Sequence, residues 1–178
     1  HTIMTDCYTD NAIPVHVGAE QGFLSAGTAV SSNPHFLQLW QAAYETIRRC
    51  QIFYEHIGEV SMNEKAKAQL TAEVQFLEAF AYHNLWKYMG GVPILDHPLQ
   101  LNEPLPARSS ADETYDYVVK LLDKAAPNLP EIRTAADHGK ASAGACYALK
   151  ARMAFYNHKY DVAEAAAEQV TQPGKFGV

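Results

Sequence analysis

The strongest hydrophobic pattern in the chain lies between residues 70 and 95 and predicts a long central helix. Residues spaced three or four apart lie on one face of a helix. The apolar residues with this spacing are Leu70, Val74, Leu77, Ala81, Leu85 and Tyr88, and the face is widened by Phe76, Phe80, Tyr82, Trp86 and Met89. A helix that is apolar on several sides needs neighbouring helices to cover it, so we expect flanking helices elsewhere in the chain.

Local signals mark both ends of this central helix. Ser61 is followed three residues later by Glu64, a spacing that predicts a capping box at the start. At the other end, Gly90 and Gly91 tolerate a positive φ beyond the last turn, and Pro93 disfavours helical backbone in the residue before it. The sequence therefore predicts a helix that ends abruptly and continues as extended chain.

Four further helices are predicted around it. The first runs roughly over residues 35–57, and another begins after Ser109 or Ser110 and ends near Pro127. From residue 139 onward the chain is rich in alanine, and the interruption at Asn157, His158 and Lys159 predicts two antiparallel helices joined by a short turn. This turn, followed by Tyr160 and Ala163, is typical of a tetratricopeptide-type hairpin.

These patterns predict an all-α fold of stacked helical hairpins of tetratricopeptide-like type. Residues 1–34 have no sustained period and are predicted to form a long irregular lead, whereas residues 35–178 form the helical domain. The residues that we expect to be largely buried are Tyr44, Leu77, Phe80, Trp86 and Leu149. If Leu77 is buried, its replacement by alanine should cost about 2–5 kcal/mol.

Composition excludes several classes of function. The chain of 178 residues has a formal net charge of −6, and its basic residues are not clustered as nucleic-acid binding would require. No apolar run is long enough to cross a bilayer. The three cysteines are too few and too irregularly spaced for a disulfide framework, so we interpret them as buried thiols. The eight histidines show no metal-ligand spacing, and no metal or other cofactor is predicted.

One polar and aromatic cluster lies in the irregular lead and is the candidate ligand-binding site. Carboxylate and amide groups can bind sugar hydroxyls while an aromatic ring packs against a sugar face. The residues are Asp6, Tyr8, Asp10 and Asn11, and an ordinary turn with local side-chain capping is the alternative interpretation. No catalytic residue is predicted, because Glu73 and Glu78 lie about 140° apart on a helix and cannot form an acid–base pair through local geometry.

An ordered set of residues over about 36–178 resembles the SusD/RagB family of surface-exposed nutrient-binding lipoproteins. The matching positions come in the family's order, although each is a weak signal by itself. They are Trp40, Tyr44 and Ile47; Ala72, Glu73, Phe76, Leu77, Ala79, Tyr82 and Leu85; Tyr88, Gly90, Gly91, Val92 and Pro93; Arg108, Ser109, Ser110, Glu113 and Tyr115; Ala125, Leu129 and Pro130; and Gly139, Lys140, Ala148, Leu149, Ala151, Arg152, Tyr160 and Ala163.

The resemblance implies a non-enzymatic protein that binds glycan or another nutrient at the cell surface. In the family, such proteins work with a TonB-dependent outer-membrane transporter of SusC-like type and are held to the outer membrane by a lipid anchor, which is not within this sequence. The matched residues belong to the family's helical scaffold and not to its ligand site, and family members are much longer than this chain. Glu78 departs from the pattern, because the family usually has a basic residue there. Two alternatives stay open: a peptide-binding tetratricopeptide adaptor and a small α-helical enzyme.

Overall fold

The structure of the protein is a computed structural model that describes Thr9, Ala12, residues 26–28 and residues 30–171. The chain divides into two compact units, His1–Gln41 and Ala42–Val178. In the described residues there are five α-helices: α1 (Pro34–Ile57), α2 (Glu64–Met89), α3 (Ala111–Ala125), α4 (Ala143–Tyr156) and α5 (Tyr160–Thr171). Two short 3₁₀ helices, Ala126–Asn128 and Ala135–Asp137, lie between α3 and α4. No strand is present in the described part, and the predicted all-α fold is confirmed.

Polar side chains next to the helix ends explain where the helices begin. The side-chain oxygen of Asn33 accepts a hydrogen bond from the backbone N–H of His35 in the first turn of α1. Of the two predicted caps for α3, Ser110 is the observed one, and it forms a capping box with Glu113, in which each side chain accepts a hydrogen bond from the backbone N–H of the other residue. The capping box predicted for α2 is wrong: Asn63, not Ser61, caps this helix, because Oδ1 of Asn63 accepts from the backbone N–H groups of Lys65 and Ala66.

Successive helices pack against one another in antiparallel order. On α1, Tyr44 lies against Tyr82 of α2, with ring centroids 6.5 Å apart, whereas Cys50, further along α1, donates from its thiol to the carbonyl oxygen of Val74, nearer the start of α2. Trp86 donates from its indole N–H to the carbonyl oxygen of Ala111 at the start of α3. The α4 and α5 helices form the predicted hairpin across the turn at residues 157–159.

The hydrophobic core of the second unit is built largely from small and medium-sized residues. Alanines on α2 and α4 bring neighbouring helices close together, and Cys50 and Cys146 are buried free thiols whose pKa values are raised to about 12 by desolvation. The core residues with the lowest exposure are Ile47, Ala72, Ala79, Tyr82, Leu85, Val92, Val118, Leu122, Ala125, Cys146, Met153 and Ala154.

The central helix is not buried on the side that its sequence predicts. Leu77 is 51% exposed and Phe80 is 46% exposed, so both predictions of burial are wrong, whereas Leu149 is buried as expected. Trp86 and Tyr44 are only half-buried. The helix instead presents Ala72, Ala79 and Tyr82, together with the charged residue Glu78, to its neighbours. Because α2 is apolar nearly all round, its periodicity does not reveal which face the neighbouring helices cover.

This corrected orientation predicts opposite results for two leucines on the same helix. Leu85→Ala should lower the free energy of unfolding by about 2–5 kcal/mol, because Leu85 is fully buried and its truncation leaves a cavity. Leu77→Ala should change it by about 0.5 kcal/mol or less, because half of this side chain already contacts solvent. Denaturant unfolding of both variants measures the difference. Equal losses would contradict the described face.

The extended segment after α2 depends on a close approach of two backbones. Gly90 has φ of 69° and donates from its backbone N–H to the carbonyl oxygen of Trp86, as expected for a glycine that ends a helix. Gly91 is required for a different reason, because a Cβ atom there would overlap the carbonyl oxygen of Ser109 and lie 2.8 Å from the backbone nitrogen of Ala111. The start of α3 therefore passes directly against Gly91.

A matched pair of glycine substitutions tests this close approach. Gly91→Ala should lower the free energy of unfolding by about 1–3 kcal/mol, because two backbones must move apart to admit the methyl group. Gly58→Ala is the control, because nothing lies within 4 Å of the added Cβ atom and its φ is not positive. The control should be neutral or stabilising by up to about 1 kcal/mol. Tolerance of Gly91→Ala in denaturant unfolding would contradict this contact.

Candidate functional site

The ligand-binding residues proposed from the sequence, Asp6, Tyr8, Asp10 and Asn11, lie outside the residues that the structure describes. Their role therefore stays a prediction. The described residues do contain a convergent group of buried polar side chains, two surface grooves and several exposed apolar side chains, and each can be assessed for function.

The convergent group surrounds Glu78, which lies in the middle of α2 and is fully buried. Its Oε1 accepts hydrogen bonds of 2.8 Å from the Gln51 amide of α1 and from the Tyr117 hydroxyl of α3. Its Oε2 accepts from the Tyr54 hydroxyl of α1, also at 2.8 Å. Gln51 also donates to the carbonyl oxygen of Leu95 at 3.0 Å, which connects the carboxylate to the extended segment after α2.

Burial is the main cause of the shifted pKa values around Glu78. Desolvation raises the pKa of Glu78 above its usual range, while its three hydrogen-bond donors act in the opposite direction by stabilising the charged form. The pKa values of Tyr54 and Tyr117 are raised mainly by desolvation and secondly by the nearby Glu78 charge. Only one carboxylate is present and it has no exposed surface, so this group joins three segments of the fold and has no access to a substrate.

The sequence did not predict this centre, although it contained part of the signal. Glu78 departs from a family pattern that usually has a basic residue at this position, but periodicity cannot show which residues of α1 and α3 face it. Glu73, five residues earlier, has a separate partner: its carboxylate pairs with Arg133 at 2.5 Å, in the segment between α3 and α4. The expectation that Glu73 and Glu78 do not act as a pair agrees with these separate partners.

Two open grooves lie on the surface. The first has a volume of 420 Å³ and lies between the start of α2 and the end of α3, with polar side chains such as Lys67, Gln75 and Asn128. The second has a volume of 360 Å³ and lies between α4 and α5, with Tyr147 and Ala166 among its lining residues. Both grooves are shallow and neither contains a group of converging carboxylates, so neither resembles a catalytic cleft.

The histidines are divided between the interior and the surface. His83 is buried on α2, its Nδ1 has no hydrogen-bond partner, and desolvation together with the charges of Arg152 and Lys87 lowers its pKa to about 4. His97 is exposed and lies between the carboxylates of Asp96 and Glu103, each 2.6 Å away.

Within the part of the chain that the structure describes, no three His, Cys, Asp or Glu side chains come together as metal ligands. No helix there is long and apolar enough to cross a membrane.

Comparisons with known proteins provide the functional context for this scaffold. A sequence model of a SusD-like family, described as starch-binding and associating with the outer membrane, matches residues 2–155. SusD-like protein P38 of Formosa agariphila is 26% identical over 160 residues, which cover 89% of this chain and 30% of that protein. A crystal structure of a SusD-like protein from Bacteroides fragilis is 31% identical, covers 95% of this chain and 34% of that one, and has a TM-score of 0.87.

A laminarin-binding SusD-like protein of known structure is also similar. It is 25% identical, covers 87% of this chain and 34% of that one, and has a TM-score of 0.80. The chain thus spans about a third of the length of the relatives that it matches. The family's description names starch binding, as expected for a non-enzymatic binding protein.

The buried carboxylate at the centre of the fold generates a pH-dependent prediction. Because burial raises the folded-state pKa of Glu78, the folded protein binds a proton more readily than the unfolded chain. Its contribution to stability is complete below the unfolded pKa of about 4.3 and is lost as pH rises through the folded pKa. Glu78→Gln should remove this part of the pH dependence. It should keep the network intact, because a Tyr54 hydroxyl can accept a hydrogen bond from the new amide.

Denaturant unfolding between pH 4 and pH 8 measures this effect. Glu59→Gln, at an exposed position, makes the same change of charge and serves as the control. Glu78→Ala should lower the free energy of unfolding by about 3–5 kcal/mol at every pH, because Gln51, Tyr54 and Tyr117 lose their acceptor. A Glu78→Gln variant with the same pH dependence as the unmodified chain would refute this assignment.

Proposed function

Since this chain belongs to the SusD-like family, described as starch-binding and associating with the outer membrane, we propose that it is the helical part of a glycan-binding protein of an outer-membrane uptake system. The protein binds oligosaccharide and does not cleave it. Its helical part is the scaffold that positions the ligand-binding segments and contacts a TonB-dependent transporter of SusC-like type. A lipid anchor holds the protein at the cell surface.

The observation that carries this proposal is the agreement between sequence and fold over nearly the whole chain. The family model matches residues 2–155, and the superposition on the Bacteroides fragilis SusD-like structure covers 95% of the chain with a TM-score of 0.87. The similar laminarin-binding protein supports a glucan as the class of ligand. No observation specifically favours the peptide-binding adaptor or the small enzyme considered from the sequence.

The chemistry of the described residues also fits a scaffold. The buried carboxylate of Glu78 is occupied by interhelical hydrogen bonds, and the carboxylates of Asp96 and Glu103 pair with the exposed His97. Glycan contacts in the proposed whole protein therefore come largely from other segments. Asp6, Tyr8, Asp10 and Asn11 remain proposed ligand contacts, in which the tyrosine ring packs against a sugar and the amide and carboxylates bind its hydroxyls.

Calorimetric titration of the longer protein that contains residues 1–178, and of this chain alone, tests the proposal. Both would be titrated with maltohexaose and laminarihexaose. The longer protein should bind at least one of these glucans. The chain alone should have an affinity at least about tenfold lower, a difference of about 1.4 kcal/mol or more in binding free energy, because it lacks most ligand-contacting segments. Absence of glycan binding by the longer protein would contradict the proposed function.

A substitution in the longer protein tests the candidate residues in the lead. Tyr8→Ala should reduce glucan affinity about fivefold or more, the loss expected when one contact worth about 1 kcal/mol is removed. Tyr8→Phe retains the ring and should bind nearly as well as the unmodified protein. If Tyr8→Ala binds normally, the cluster of Asp6, Tyr8, Asp10 and Asn11 is not a ligand site, whereas the proposed function stands.

A further inference from the structure

The turn between α4 and α5 carries three aromatic side chains that are each more than half exposed: Phe155 at 59%, Tyr156 at 51% and Tyr160 at 55%. The Phe155 ring contacts both of the others, with centroid distances of 6.3 Å to Tyr156 and 5.7 Å to Tyr160. We name these three residues and His158 the aromatic turn. We propose that the aromatic turn is a second carbohydrate-binding surface, which takes a neutral glucan chain. This inference rests on the proposed function.

The backbone of the turn supplies the first argument. His158 has φ of 59°, in the left-handed region that a non-glycine residue adopts at an energetic cost. Two hydrogen bonds hold it there: its own N–H donates to the carbonyl oxygen of Phe155, and the N–H of Lys159 donates to that of Ala154. This is the Schellman arrangement in which glycine is usual. A histidine at such a strained position points to a use for its side chain.

The histidine side chain organises the aromatic rings. Nδ1 of His158 lies 2.9 Å from the Tyr160 hydroxyl, and the two ring centroids are 5.9 Å apart. The Tyr160 ring is thereby fixed against Phe155 before any ligand arrives. Fixing side chains in advance lowers the entropic cost of binding, and tyrosine provides a large contact area with few rotatable bonds.

Polar groups beside the rings match what a sugar requires. The Tyr156 hydroxyl and the second ring nitrogen of His158 make no hydrogen bond to any part of the chain that the structure describes, and both residues are exposed. Ring faces carry partial negative charge and attract the C–H groups on one side of a pyranose, while hydroxyl and imidazole groups bind its hydroxyls. A neutral ligand also suits a chain of net charge −6.

The aromatic turn differs from an exposed apolar strip on α2 of the same unit. Leu70, Leu77 and Phe80 are exposed along α2, and half-buried Phe76 stacks on Phe80, so this strip mixes aliphatic and aromatic side chains, which is the composition of a protein contact. The aromatic turn instead occupies the end of a hairpin, without aliphatic side chains among its exposed members. Two contacts tether the turn to α3: the Asn157 amide lies 3.3 Å from the Asp112 carboxylate, and the Lys159 ammonium group lies 3.4 Å from the Asp116 carboxylate. The turn is therefore supported by contacts within this chain.

NMR titration of the chain with maltohexaose and with laminarihexaose tests the proposal. The imidazole signals of His158 and the ring signals of Tyr156 and Tyr160 should shift with at least one glucan, at millimolar affinity. The double variant Phe155→Ala, Tyr156→Ala should weaken this binding at least tenfold. The control is Phe76→Ala, Phe80→Ala, which removes two other stacked aromatic rings and should bind like the unmodified chain.

His158→Gly separates a binding role from a structural one. Glycine relieves the left-handed strain, so the unfolding midpoint should stay the same or rise, while glucan affinity should fall several-fold because Tyr160 loses its contact. Normal binding by this variant, or by the double variant, would overturn the proposal. So would the absence of any signal shift in the unmodified chain. If the further proposal fails in this way, glucan binding by the longer protein would still support the proposed function. Failure of the longer protein to bind any glucan would contradict both the proposed function and the further proposal.

Discussion

Burial of a single carboxylate sets the arrangement of the first three helices in the larger unit. Removing Glu78 from water is unfavourable unless donors replace its hydration, and the structure provides three, from Gln51, Tyr54 and Tyr117. Two of these residues lie on α1 and one on α3. The helices can therefore satisfy Glu78 only in one register, since sliding either helix by a turn would leave a buried charge without its donors. This requirement specifies one packing more strictly than the surrounding alanines and leucines can.

The same logic governs the extended segment that follows α2. Backbone groups there have no helical partners, and buried ones must be satisfied in another way. Side chains of the core provide the partners: the Tyr44 hydroxyl donates to the Pro93 carbonyl oxygen at 2.7 Å, and the N–H of Leu95 donates to the Tyr82 hydroxyl at 2.8 Å. The N–H of Val92 donates to the Thr114 hydroxyl, and the Arg108 side chain donates to the carbonyl oxygens of Met89 and Gly91. A segment without regular structure is thus held rigidly between α2 and α3.

The sequence predicted the features that depend on neighbours in the chain and missed those that depend on distant ones. The cap at Ser110, the break at Asn157 and the stop at Gly90 are local signals, and each is confirmed. The exposed face of α2 was assigned wrongly because Leu77 and Phe80 have the same apolar character as the residues that are buried. Likewise, no local rule indicates that Glu78 will meet two tyrosines from different helices. The resemblance of scaffold residues to the SusD family predicted the fold correctly, but a scaffold match contains no information about ligand contacts.

Rigidity in this core has a consequence for the surface that it supports. Tyr115 is buried on α3, and the ammonium group of Lys159 lies 4.2 Å from the centroid of its ring while it approaches Asp116. Asn157 is similarly bound to Asp112 at the start of α3. The turn between α4 and α5 is therefore fixed through α3 to the hydrogen bonds around Glu78, since Tyr117 belongs to the same helix. Exposed aromatic side chains on a turn normally pay an entropic cost on binding, but here the backbone that carries them is already held against α3. A weak glucan-binding surface at this position is consistent with a scaffold whose buried carboxylate is satisfied by its own helices.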